Sequence, residues 1–245
     1  MKAGFTTLIT GCSSGLGKYL HEEIDSVAFN RNCPPYALDI DTIIHCGWDT
    51  KVTDPSEKYI YNALDLVQRL CLIKHKRFIF ISTIDVYNKL SLVEHEESEQ
   101  IDVREITGLY AISKYFAENI ILRQANNPIV IRPSTLMGKY SNNSIFKLNC
   151  HKPVRLSGES KLNIILYSQV KDFIIKMNNR SDSGIYNLVG DGVVALGDLF
   201  SDLDGLFGKF VYTCGKLSNK KLKQFDISLA KSSFENFQTW KINEN

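Results

Sequence analysis

The sequence lacks several things, and each absence removes a class of protein. No apolar run approaches the roughly 18 residues that a membrane helix needs. The start Met1-Lys2 and Leu8-Ile9-Thr10-Gly11-Cys12 faintly resembles a lipoprotein cleavage site, but its apolar stretch is too short and is diluted by Gly4, Thr6 and Thr7. The six cysteines (12, 33, 46, 71, 150, 214) form no C-x-x-C pair and show no Cys/His metal spacing. Such scatter predicts reduced thiols, a cytoplasmic protein and no metal. Neither sign of charge dominates: 29 basic against 27 acidic residues leave +2. That balance gives no reason to expect nucleic acid or an anionic membrane as partner. There is no fixed-period repeat and no Pro- or Gly-rich linker.

What is present is ordinary globular composition, with 44% hydrophobic and 23% charged residues over 245 positions. Short β-rich runs alternate with longer helical stretches. Strands are predicted at Phe5–Thr10, Val27–Asn30, Thr42–Cys46, Phe78–Ser82, Ile129–Arg132 and Gly184–Val189. Helices are predicted at Leu16–Ile24, Ser56–Ile73, Tyr110–Gln124 and Val170–Met177. This alternation implies βαβ units and a parallel sheet, and the continuously apolar strands imply that both faces are covered. The fold class expected is α/β, a Rossmann-like doubly wound sheet in a single domain over 1–245. A small substrate lobe would come from about 133–168 and 190–245. The acidic run Glu94–Glu99 reads as an exposed loop, and the lysines at 216, 220, 221 and 223 as a solvated face.

Thr10-Gly11-Cys12-Ser13-Ser14-Gly15-Leu16-Gly17 joins the first strand to the first helix. One glycine permits a tight turn, a second admits a pyrophosphate and a third lets helix pack on strand. The helix N-terminus then offers free N–H groups to phosphate. An acid ending the second strand would favour NAD, but Phe29-Asn30-Arg31 carries none. Arg31 is suited to a 2′-phosphate, which points to NADP, with NAD as the alternative.

Tyr110 and Lys114 stand at i and i+4 of a predicted helix, so they project together. A lysine charge nearby would lower the phenol's proton affinity and make Tyr110 a usable acid/base. Upstream, a strand ends Ile81-Ser82-Thr83, placing a hydroxyl at the edge where open α/β sheets bind ligands.

In this order, these segments resemble the short-chain dehydrogenase/reductase superfamily. More narrowly, they resemble its extended branch, the NAD-dependent epimerase/dehydratase family that modifies nucleotide sugars. Further matching segments are Asp41–Gly47, Asn62, Arg77–Tyr87, Glu118, Ile131-Arg132-Pro133, Met137-Gly138, Val170-Lys171-Asp172 and Gly184–Asn187. The resemblance implies Tyr110 as general acid/base, Lys114 on the nicotinamide ribose and Thr83 on the substrate oxygen. It places Asn62 as a structural or proton-relay residue. Gly11, Ser13, Ser14, Gly15, Leu16, Gly17 and Arg31 would face the cofactor, with His45, Cys46 and Gly47 beside its ribose and phosphates. It also implies a homodimer through helices Ser56–Ile73 and Tyr110–Gln124, using Ile60, Leu64, Val67, Ile112, Phe116 and Ile120.

Some features depart from the family. The glycine spacing is G-x-x-x-G-x-G, the stretch from Arg31 to Asp41 is short, and Asn88 stands where glycine is usual. Sugar dehydratases carry two acids after the threonine; here Ile84 precedes Asp85, so 4,6-dehydration is not expected. The function expected is an NAD(P)H-dependent reductase of a keto-sugar nucleotide. An epimerase with tightly bound NAD is the second reading. A catalytically idle binding member is the third.

Overall fold

The computed structural model describes residues 6–29, 39–50, 56–87, 95–143, 161–190 and 194–195. Six strands form one parallel sheet: β1 (Thr7–Thr10), β2 (Val27–Ala28), β3 (Thr42–His45), β4 (Arg77–Ile81), β5 (Pro128–Pro133) and β9 (Gly184–Leu188). Their spatial order is β2-β1-β3-β4-β5-β9. The chain leaves β1 toward β2 on one side and returns to β3 on the other. The strand order therefore reverses between β1 and β3, where ligands of open α/β sheets bind.

The helices are α1 (Gly15–Glu23), α2 (Ser56–Leu72), α3 (Leu109–Gln124) and α4 (Tyr167–Asn178). Single 3₁₀ turns run over Ile84–Val86 and Val103–Glu105. Outside the main sheet, β6 (Thr135–Met137) pairs in parallel with β8 (Ile164–Leu166), and β7 (Lys161–Leu162) pairs antiparallel with β10 (Val194–Ala195).

Alternation along each strand decides which face a residue covers. Ile9, Ile44, Ile79 and Ile129 pack under Leu16 and Leu20 of α1 and Phe173 and Ile174 of α4. Their neighbours Leu8, Ile43, Phe78 and Val130 pack under Leu66, Val67 and Leu70 of α2 and Ala117 and Ile121 of α3. Both faces are covered, as the unbroken apolar strands required.

Val67, expected at a dimer interface, is fully buried against the sheet in the single chain, while Phe116 stays 37% exposed. No helix among the described residues is long and apolar enough to cross a membrane.

The expected exposed acidic loop needs correction. His95 and Glu97 are both buried, and Glu97 accepts the Asn187 backbone N–H at 3.1 Å. Among the described residues β9 pairs with β5 alone, and the inward Glu97 carboxylate takes the Asn187 N–H on its other side. Glu94, the lysines from 216 to 223, residues 144–160 of the expected lobe and nearly all of its 190–245 segment lie outside the described residues.

Candidate active site

At the carboxyl ends of β1, β3, β4 and β5 a cavity of about 930 Å³ opens. That is the upper range of small-molecule sites, which run from roughly 300 to 1,000 Å³. Its floor is the glycine turn. Gly11 has φ +77, and a Cβ built there would lie 2.7 Å from the Gly47 backbone. At Gly17 a Cβ would meet the Gly11 carbonyl oxygen at 2.5 Å. Backbone presses on backbone at both places, so no side chain can yield. Gly17→Ala is therefore expected to weaken nucleotide binding and lower the melting temperature together, read by calorimetry of free and nucleotide-saturated protein. Unchanged affinity would reject a tight floor.

Ser13 and Ser14 are exposed at the mouth of this turn, and Gly15, Leu16 and Gly17 open α1 beneath it. Ser14 is extended, makes no side-chain cap, and leaves the first N–H groups of α1 for a ligand. Cys46 and Gly47 form the facing wall. Burial pushes the Cys46 thiol up to about 12, so it stays protonated and unreactive.

Two sequence expectations fail here. His45 does not line the cavity: its ring is fully buried, shares a 2.7 Å hydrogen bond with Thr10 Oγ1 and stacks on Phe80. Strand alternation turns it into the layer below. Thr10 Oγ1 accepts the Gly47 N–H at 2.9 Å, so His45 acts on the wall only through Thr10. Asn62 is exposed on the outer side of α2 and lies off the cavity. Arg31 lies outside the described residues.

Thr83, Tyr110 and Lys114 do come together on the cavity. Thr83 caps the Ile84–Val86 turn, where its Oγ1 accepts the Asp85 N–H at 3.1 Å. Its hydroxyl proton remains available to a ligand. Tyr110 opens α3 and its phenol is pushed up from the usual tyrosine range, chiefly by burial and further by Asp85 and Tyr59. The expectation that Lys114 lowers it is not met. The Lys114 ammonium turns inward and donates to the Ile81 carbonyl at 2.6 Å, standing 5.8 Å from the Tyr110 ring centre. Burial pushes it down to about 7, against a weaker opposing pull from the Glu118 carboxylate.

Behind Thr83 lies a network that spacing could not show. Arg132 and Glu118, both buried, pair through Arg132 Nη2 at 2.6 Å and Nε at 3.1 and 3.2 Å. Ser82 donates to the same carboxylate. Arg132 also donates to the Tyr87 hydroxyl at 2.8 Å, which donates to Asn187 Oδ1 at 2.8 Å. His95 stacks on the Tyr87 ring at 4.8 Å. Several segments matched one by one in the sequence thus meet as one support for the turn that carries Thr83.

Trp48, Asp85, Ser134 and Tyr167 also line the cavity and were not expected there. Trp48 follows directly on Cys46 and Gly47, a position that already marked it for the wall. Ser134 is buried, and its hydroxyl has no hydrogen-bond partner among the described residues. A buried, unsatisfied hydroxyl facing a cavity is a place for a ligand atom. Together with the glycine floor and the free helix N-terminus, it fits a dinucleotide.

Glycine floor, switch-point cavity and the threonine, tyrosine and lysine define a nucleotide-dependent oxidoreductase of the short-chain dehydrogenase/reductase type. The description NAD dependent epimerase/dehydratase family matches residues 33–171, and the chain belongs to that family. Comparison with curated proteins returns no match. Among solved structures, one of dTDP-4-dehydrorhamnose reductase from Bacillus anthracis in complex with NADP superposes with TM-score 0.71 at 19% identity. That match covers 90% of this chain and 92% of the other. The same enzyme from Clostridium acetobutylicum superposes at 0.74 and 13% identity, covering 96% and 99%. UDP-glucose 4-epimerase with UDP-glucose from Thermotoga maritima superposes at 0.70 and 14% identity, covering 96% and 100%. At these identities the likeness establishes the shared fold.

Proposed function

We propose that this protein is an NADPH-dependent reductase of a keto-sugar nucleotide. The observation that carries the reading is the meeting of Thr83, Tyr110 and Lys114 on one cavity above the glycine turn. Burial and the Asp85 carboxylate push the Tyr110 phenol up, which favours its protonated form. A reductase needs a proton donor at the start of its cycle, whereas an oxidation begins with a base.

When bound over the glycine turn, the nicotinamide supplies the hydride. Thr83 donates a hydrogen bond to the substrate carbonyl oxygen and polarises it. Tyr110 passes its phenolic proton to that oxygen as it gains negative charge. Lys114 holds ribose hydroxyls, and Ser134 offers its free hydroxyl to the ligand. The rings of Trp48 and Tyr167 narrow the space left to water. NADPH rather than NADH rests on Arg31 in the sequence, and on the NADP held by the Bacillus anthracis reductase.

Two titrations and a panel test this. NADPH should bind more tightly than NADH, and at least one nucleotide keto-sugar should consume NADPH. Tighter binding of NADH would remove the role given to Arg31. The likeness to UDP-glucose 4-epimerase keeps an epimerase as the second reading. Protein that purifies with bound NAD and turns over a nucleotide sugar with no net cofactor loss would replace the reductase by it.

A further inference from the structure

Lys114 is a buried cation without a carboxylate in contact among the described residues. It is 2% exposed, and its hydrogen bond goes to the Ile81 carbonyl. Aromatic rings occupy the place of a counter-ion. The ammonium lies 4.3 Å from the Trp48 ring centre and 4.6 Å from that of Phe80. An ammonium within about 6 Å of a ring centre is attracted by the negative ring face, and tryptophan binds best.

Trp48 is itself fixed. Its Nε1–H donates to Ser113 Oγ at 3.3 Å, and Ser113 donates to the Tyr110 carbonyl at 2.8 Å. The indole is therefore tied to the same turn of α3 that carries Tyr110 and Lys114. Its other neighbours are the rings of His45 at 5.7 Å and Phe80 at 5.6 Å.

We propose that Trp48 is a positioning residue for Lys114. Its indole face takes the place of a counter-anion and keeps the ammonium seated against Ile81 until the cofactor engages it. The seat is a property of the free protein. Its link to the cofactor rests on the function proposed above. Among the described residues, the titratable groups that face Lys114 are Cys46 from the loop after β3 and Tyr110 and Glu118 on α3; Asp85 and Tyr59 act on Tyr110 beside it. The Glu118 carboxylate favours the ammonium, yet burial outweighs that pull and brings Lys114 down to about 7.

The test is the pH dependence of the lysine Cε resonances in protein labelled with ¹³C-lysine. The Lys114 signal is the one lost in K114M. Its midpoint is expected near 7 in the free wild type. W48L keeps the site apolar but removes the ring face, so the midpoint should fall by about half a unit to one unit. W48F keeps a ring and should fall less. An unchanged midpoint in W48L overturns the proposal. So does a rise toward the ordinary lysine range, because the indole would then act only by excluding water. Saturating NADPH at pH near 7 should move the wild-type signal to its protonated position. If NADPH binds and the signal stays, the seat is not linked to the cofactor and the proposal fails. If NADPH does not bind, the failure belongs to the proposed function, and the free-protein midpoints still decide the seat.

Discussion

Under the proposed function, Tyr110→Phe is expected to lower kcat by about 10²–10⁴-fold, the usual contribution of a positioned general acid. The substitution removes one oxygen from a ring that otherwise stays packed at the start of α3, so the fold and the affinity for NADPH should be unchanged. The loss should appear equally in kcat and kcat/KM, because the proton moves only in the transition state. In the wild type the reductive rate should hold steady through neutral pH. A phenol whose proton affinity is raised remains an acid there and stops donating only under alkaline conditions. The experiment compares circular dichroism, NADPH titration and steady-state rates for the two proteins on one accepted keto-sugar. A variant that keeps most of its turnover removes Tyr110 from the chemistry, whatever its cofactor affinity.

The second large effect lies in the support beneath Thr83. Glu118 and Arg132 are 1% and 2% exposed in side chain and form a bidentate pair. Glu118→Ala leaves the Arg132 guanidinium buried without its carboxylate and takes the acceptor from Ser82. Breaking such a pair from one side costs about 3–5 kcal/mol. In a chain of this size that is a fall in Tm of roughly 6–20 °C. Arg132→Met alone should cost a comparable amount, since it strands Glu118 and removes a donor from Tyr87. The double variant Glu118→Ala with Arg132→Met should recover much of the loss, because neither charge is then left alone. Denaturation of the three variants gives the coupling. Glu118→Ala within about 1 kcal/mol of wild type, or a double variant as damaged as the sum of the singles, would show that the pair does not hold the turn.

Much of the site could be read from the sequence because its signals are local. Apolar runs bounded by turn residues placed β1, β3, β4, β5 and β9 within a residue or two of where they lie. Tyr110 and Lys114 share a helix face because of helical geometry alone. Gly11 follows β1 directly and Gly15 and Gly17 open α1, a placement visible in any reading of order. Once β4 was recognised, Thr83 at its end followed.

The misreadings have a common physical origin. His45 lies next to two wall residues, but the alternation of β3 sends it into the layer beneath. Asn62 sits in the right helix, yet the rotation of α2 on the sheet decides which residues look inward, and that rotation is set by Leu66, Val67 and Leu70. The Lys114 ammonium meets Trp48 of the loop after β3 and Phe80 of β4, neighbours that no spacing along α3 could show.

By itself, the sequence determined the parallel α/β order, the glycine turn and the pairing of Tyr110 with Lys114 on one helix, since each follows from spacing along one element. Only the tertiary structure decided that Glu118, Arg132, Tyr87 and Asn187 share one buried network. Those residues come from different elements, and a buried charge finds its partner by proximity in space. The same holds for the protonation of Tyr110 and Lys114. Proton affinity is set by how much water and which charges surround a group, and that depends on packing rather than on position in the chain.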